Sequence, residues 1–409
     1  MNRSFAANDL NPDPTYSVRR LIGIGVVTRL MVDTGVQIFF PFLRVIAEGI
    51  GITTVELGRL ISLRSLTGLL SPWFGVLSDR RSNRWVMRLG LLLAALGYTL
   101  IGLSTNVWQA AAGMLLSGMG SFAYLPTLQA YLSARLPYGQ RARGLGIVEY
   151  AWALSGILGL FLMGYLIAWT SWRVPMLLLG SGLFAAFVLY RYLPAGKREK
   201  ATKPDALDPE EAFLNLGENG RSAWANIFVN GLIMFAAMNL FVTYGDWLET
   251  GYALDPAALG TVALVLGVFD LCASVLVSLV VDRLGKRRSV LLGSAVACLG
   301  FLLLPWFSGG VVMAVTSLVL ARFSFEFTVV SNIPLLSEQV PRHRGKVMTF
   351  STATGLLGTS LAGLSGPWAL GEYGIAGVSL MSASAMLLTW LVVLWRVREP
   401  ALQRVKLGD

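Results

Sequence analysis

Gly75-Val-Leu-Ser-Asp79-Arg80-Arg81-Ser-Asn-Arg84 sets four charges in a short turn between two long apolar runs. The same order returns at Ser278-Leu-Val-Val-Asp282-Arg283-Leu-Gly285-Lys286-Arg287-Arg288, again between apolar runs. Asp79 and Asp282 stand 203 positions apart in a chain of 409 residues, and Arg143-Gly144 is echoed by Arg344-Gly345, 201 positions on. The chain therefore reads as two copies of one unit.

With 55% hydrophobic residues, 14% charged residues and a mean hydropathy of +0.63, the sequence is too apolar for a soluble globular protein of this length and belongs in a bilayer. A net charge of +10 would suit nucleic acid only if the basic residues shared one solvated face. They sit instead in short turns between apolar runs, so no nucleic-acid partner is expected. Residues 1–17 are polar and lack the apolar core of a signal peptide. Cys272 and Cys298 both fall inside apolar runs, where packing is the expected role.

Runs of about 20 apolar residues, enough to cross the hydrocarbon core as helices, occur twelve times, near 18–42, 53–77, 85–105, 108–135, 144–169, 172–193, 223–247, 257–281, 289–308, 311–336, 345–368 and 376–397. The fold class is thus all-α integral membrane, with twelve transmembrane helices. A tail over 1–17, a six-helix bundle over 18–193, a linker over 194–221, a second bundle over 222–397 and a tail over 398–409 follow. A short surface helix near 209–216 would rest Phe213, Leu214 and Leu216 on the membrane. Of the 33 Lys and Arg residues, 27 fall in the tails and the even-numbered turns, whereas the opposite turns hold only Arg44 and Arg173. The expectation is a multi-pass protein of the cell membrane with both termini cytoplasmic.

Two six-span halves, a long middle loop and a Gly-x-x-x-Asp-Arg-type turn after the second and eighth spans resemble the major facilitator superfamily over residues 18–397. Gly75, Asp79, Arg80 and Arg84 match the family's turn, with Ser82 and Asn83 departing from it. Asp282, Arg283, Gly285, Lys286 and Arg287 match in the second copy, with Ser278 in the glycine's place. The resemblance implies that Asp79 faces the start of the eleventh span near Gly345 and Lys346, and Asp282 the start of the fifth near Gly144, latching the cytoplasmic side. The fifth span is glycine-rich at Gly156, Gly159 and Gly164, as in the drug exporters of that superfamily. Leu160 stands where that branch has proline, and Met114 where it has arginine.

Ionisable groups at membrane depth are costly, so each is a functional candidate. Asp33, Arg64, Asp270 and Arg322 lie roughly 15–22 Å from the ends of their spans, near the depth at which such transporters hold substrate and coupling ions. Arg29, Asp33 and Gln37 are four apart and form one polar stripe. Arg322 and Glu326 repeat that spacing, either as a functional pair or as a self-neutralised ion pair. Asp270 has no basic residue within a turn of its own helix, so it is paired from another helix, opened to water or protonated. Glu149 falls near the start of the fifth span, where Arg143 would pair with it near the cytoplasmic surface, in a gate or a structural role rather than in proton transfer. Asp246 and Glu249 read as a solvated rim, His343 as a topology residue, and Trp169, Trp172 and Trp247 as interfacial anchors. Tyr124, Tyr150 and Trp152 lie deeper, as cavity lining or packing.

No metal-ligand cluster, phosphate-cradling loop or nucleophile–base spacing occurs, so neither enzyme activity nor a cofactor is expected. The expected function is secondary active transport, proton-coupled, exporting an amphipathic or drug-like compound. Uptake of a small, possibly anionic metabolite, lipid flipping and a transport-inactive sensor are the alternatives. The expected partners are a small-molecule substrate, protons and the lipid bilayer, and the chain is expected to act as a monomer.

Overall fold

The computed structural model describes residues 18–136, 138–194, 216–217, 219–340 and 343–399, with the side chains of Asp79, Asp282 and residues 138–143 outside that description. The surface helix expected near 209–216 lies outside it too, except Leu216. That residue is buried against Ala223, Ile227 and Leu336, not laid on the membrane.

All twelve apolar stretches are helical, and no strand occurs among the described residues. The first half runs α1 (Val18–Gln37), α2 (Leu43–Ile50), α3 (Thr54–Leu66), α4 (Ser71–Arg80), α5 (Asn83–Leu103), α6 (Val107–Ser133), α7 (Tyr138–Glu149), α8 (Ala151–Leu154), α9 (Phe161–Trp169) and α10 (Arg173–Leu189). The second half runs α11 (Gly220–Tyr252), α12 (Pro256–Leu284), α13 (Lys286–Leu303), α14 (Val311–Gln339) and α15 (Arg344–Trp395). Eight helical stretches are long and apolar enough to cross a membrane by length and composition. One of them, α15, has 52 residues and covers two expected spans across a break at Gly374, where φ is 61°.

Local chemistry explains the boundaries. Thr53 and Glu56 form a reciprocal capping box at the start of α3, with Glu56 N–H donating to Thr53 Oγ1 at 3.1 Å and Thr53 N–H to Glu56 Oε2 at 2.8 Å. Ser82, Asn106 and Asp255 cap α5, α6 and α12 in the same sense. The first span departs from its expected extent. Its helix stops at Gln37, the chain turns through residues 38–42, and α2 resumes at Leu43. Pro41 in that turn has no N–H to continue a helix.

The duplicated basic turns do matching work in the two halves. Arg84 Nη1 donates to the carbonyls of Leu193 at 2.7 Å and Arg191 at 3.3 Å, closing the end of the sixth span. Arg287, 203 positions later, donates through Nε to Val397 O at 2.8 Å and through Nη2 to Leu394 O at 2.7 Å, closing the twelfth. Helix C-termini carry unpaired carbonyls and partial negative charge, which a guanidinium satisfies. Lys286 pairs with Glu338, and Gly285 terminates α12 with φ 88°. Arg80 and Arg283 are exposed at this basic end.

The halves meet away from the basic turns. Ser62 Oγ donates to Ser360 O at 2.6 Å, and Ser360 Oγ to Ser62 O at 3.2 Å, joining α3 to α15. A Cβ on Gly164 would lie 2.5 Å from Pro256 O and 2.9 Å from Gly260 Cα, so α9 and α12 touch backbone to backbone. Gly245 of α11 lies against the carbonyls of Phe40 and Pro41, next to an ion pair between Arg44 Nη1 and Asp246 Oδ1 at 3.4 Å. By contrast, α4 and α7 pack within their own half. The nearest neighbours of Gly144 are Leu136 and Ile22, and a Cβ on Gly345 would meet nothing within 4 Å. The contacts expected between the basic turns and the fifth and eleventh spans are therefore not made between described residues in this arrangement, because the halves close at the other end.

A Gly245→Val substitution would set a branched side chain where a Cβ already lies 2.3 Å from Pro41 O. Overpacking of this kind costs about 1–3 kcal/mol, and the expected outcome is separation of the seam. Maleimide labelling of a cysteine placed at Thr54, in a background lacking Cys272 and Cys298, should rise several-fold. Unchanged labelling would show that the seam does not form.

Candidate functional site

Residues four apart on a helix share a face, and α1 uses that spacing to set Arg29, Asp33 and Gln37 in one line. The fold brings Glu149 of α7 to the same line. Arg29 donates through Nη1 to Glu149 Oε1 at 2.5 Å and through Nη2 to Glu149 Oε2 at 2.6 Å, while its Nε reaches Asp33 Oδ2 at 3.2 Å. Gln129 Nε2 donates to Glu149 Oε1 at 2.6 Å. Gln37 Nε2 donates to Ser155 Oγ at 2.5 Å and to Trp152 O at 3.1 Å. The two carboxylates differ in their access to water: Asp33 is 1% exposed, and the Glu149 side chain 48%.

The described partners of Glu149 are Arg29 of α1 and Gln129 of α6, and the side chain of Arg143, its expected partner, lies outside the described residues. The surroundings of Glu149 owe their closeness to small residues. A π-helical turn, Ser155–Leu160, interrupts the fifth span, and a Cβ on Gly159 would lie 2.1 Å from Thr34 Oγ1. Such turns gather at functional sites.

The second half holds a matching arrangement. Arg322 of α14 donates through Nε to Asp270 Oδ1 at 3.0 Å and Oδ2 at 2.9 Å, and through Nη2 to Oδ2 at 2.7 Å. The guanidinium carbon lies 4.1 Å from the centroid of the Phe241 ring. Glu326 accepts from Ser274 Oγ at 3.0 Å instead of pairing with Arg322. The expected i,i+4 pair thus gives way to Asp270, which reaches across from α12 and presents both oxygens to the guanidinium fork. Of the readings open for Asp270, pairing from another helix is the one observed.

Each cluster holds one guanidinium and two carboxylates, both bonded to Arg29 in the first and only Asp270 bonded to Arg322 in the second. With both acids ionised it carries one negative charge in excess, so it can accept one proton while retaining an ion pair. Arg64, the third buried arginine, donates to Tyr98 Oη at 2.8 Å and to Val36 O at 3.4 Å.

Several expectations for the rim change. Asp246 is buried and held by Arg44 across the seam, not solvated, while Glu249 is half-buried. Trp172 is buried against Gly49 and Trp247 is buried at the end of α11, whereas Trp169 is exposed as an interfacial ring would be. Tyr124 is fully buried with its hydroxyl 2.8 Å from that of Tyr190, so it packs; Tyr150 is exposed. Gln129, Ser155 and Ser274, the supporting hydroxyls and amide, were not singled out by spacing. They carry no charge to mark them, and only the pairing of Gln129 and Ser155 with neighbours more than 19 positions away reveals them.

The chain matches the profile of the Major Facilitator Superfamily over residues 26–250 and 227–408. It is 26% identical to the uncharacterized MFS-type transporter YwfA of Bacillus subtilis, over 80% of each protein. It is 22% identical to the multidrug resistance protein MdtG of Proteus mirabilis, covering 87% of this chain and 90% of that one. Its fold is similar to the inward-open xylose transporter XylE from E. coli, with a TM-score of 0.75 at 14% identity, covering 95% and 98% of the two chains. A duplicated helical bundle with charged clusters in both halves, matched along nearly its whole length, belongs to the Major Facilitator Superfamily.

Proposed function

We propose that this protein is a secondary active transporter that exports an amphipathic compound by alternating access, driven by protons. The observation that carries the proposal is Arg29, a single guanidinium held between a water-exposed carboxylate, Glu149, and a buried one, Asp33. A proton arriving on Glu149 weakens its hold on Arg29, and the guanidinium then neutralises Asp33 more fully. The energetic cost of closing protein around Asp33 changes with that step, which links proton movement to conformation. In the second half Asp270 alone holds Arg322, so a proton on Asp270 would act on that pair directly, with Glu326 held nearby by Ser274.

The basic turns face the cytoplasm by their excess of Lys and Arg, so the arrangement described above is open to the cytoplasm. Closing that side would bring α4 toward α15 and α7 toward α12, where the Asp79 and Asp282 turns would take hold. Export of an amphipathic compound is supported by the relative named a multidrug resistance protein and by the exposed Tyr150 beside Glu149.

Proteoliposomes with an imposed pH gradient, assayed against amphipathic drugs, organic anions, sugars and lysolipids, test the reading. The wild type should move an amphipathic compound in exchange for protons. Asp33→Asn and Asp270→Asn should lower gradient-driven transport roughly tenfold or more at unchanged yield of folded protein. Full coupling in both variants would remove the proton assignment, and a wild type that moves none of the compounds would remove transport itself. Separately, Glu149→Gln should keep substrate counterflow, which needs no net proton movement, while losing accumulation against a gradient. Retained accumulation would exclude Glu149 from the proton path.

A further inference from the structure

α1 ends at Gln37, and the residues that follow, Ile38, Phe39, Phe40 and Phe42, are buried, so the carbonyls of this helix end need partners from within the protein. Two are taken up by the turn that follows: Ile38 N–H donates to Thr34 O and Phe40 N–H to Gln37 O, each at 2.9 Å. A third, Val36 O, accepts from Arg64 Nη1 at 3.4 Å. Arg64 comes from α3, is 6% exposed, and lies near the rings of Phe39 and Tyr98, at 5.6 and 5.9 Å from their centroids.

Arg64 differs from the other two buried arginines at this depth. Arg29 and Arg322 each have a carboxylate partner, but among the described residues no carboxylate pairs with Arg64. A buried cation without a counter-charge is costly. The structure offers one of another kind, the C-terminus of α1, which carries about half a negative elementary charge. Tyr98 completes the contact. Its hydroxyl accepts from Arg64 Nη2 at 2.8 Å, and its ring occupies the space beside Gly35, where an added Cβ would lie 2.4 Å from Tyr98 Cζ.

We infer that Arg64 is a positioning residue whose charge caps the interrupted first helix and so sets the stripe of Arg29, Asp33 and Gln37. It touches no atom of that stripe; it acts through the backbone that carries it. The inference rests on the proposed role of the stripe in coupling, but the cap itself can be measured without transport.

Amide hydrogen exchange on the full-length protein in lipid nanodiscs, with no substrate present, reads the cap directly. In Arg64→Gln, exchange over residues 36–42 should accelerate about tenfold, as expected for losing a hydrogen bond to a charged group, with α5 and α6 unchanged. Arg64→Lys, which keeps the charge, should stay within about threefold of wild type, and Tyr98→Phe should fall between. If Arg64→Gln does not fold, that ordering of Lys and Phe still decides. In transport, Arg64→Gln should move the pH midpoint, and Arg64→Lys should restore it. Wild-type exchange in Arg64→Gln, or exchange in Tyr98→Phe no faster than in Arg64→Lys, overturns the inference. So does a Gln variant whose only defect is weaker transport of anionic compounds, because Arg64 would then contact substrate. A wild type that transports nothing while the exchange pattern holds defeats the proposed function and leaves the cap standing.

Discussion

A charge inside a bilayer protein is tolerated only where something within reach offsets it, and three arginines at mid-depth show three ways of meeting that requirement. Arg322 takes a single carboxylate with both oxygens and a ring beneath it. Arg29 is divided between two carboxylates on different helices. Arg64 rests on the end of a helix. Because the surrounding dielectric is low, none of these partners can leave without another charge, a proton or water taking its place. The proposed coupling rests on that restriction.

The two halves repeat this logic with different members. In the first, one guanidinium is bonded to two acids, the second of them open to water; in the other it holds Asp270 alone, and Glu326 is held by a serine. The pseudo-symmetry is tightest at the basic end, where Arg84 and Arg287 close corresponding helix termini. Duplication preserves the architectural use of arginine more faithfully than the composition of the buried clusters.

The two halves meet through a different kind of contact. Along the closed end, glycines and serines let backbones approach to the limit of packing, as at Gly164 against Pro256 and Gly260. Such seams exclude lipid and water by shape and need little burial of large side chains. Among the described residues they hold through many weak contacts and the ion pair of Arg44 with Asp246.

Periodicity, hydropathy and the echo of Asp79 at Asp282 carried the helical membrane fold class and the superfamily, since these follow from local composition and from spacing along one chain. The stripe of Arg29, Asp33 and Gln37 was legible for the same reason: one helix carries all three. What spacing misassigned was partner choice. Arg322 was set beside Glu326, the nearest opposite charge in sequence, whereas the folded chain pairs it with Asp270, 52 positions away; Glu149 likewise receives Arg29 from 120 positions away, a partner that spacing did not offer. A buried guanidinium selects the carboxylate that fits its fork, and only the packing of α1 on α7 and of α12 on α14 decides which carboxylate arrives. The break after Gln37 and the carbonyl that answers Arg64 likewise exist only once three helices are in place, because a counter-charge made of backbone has no residue type to announce it.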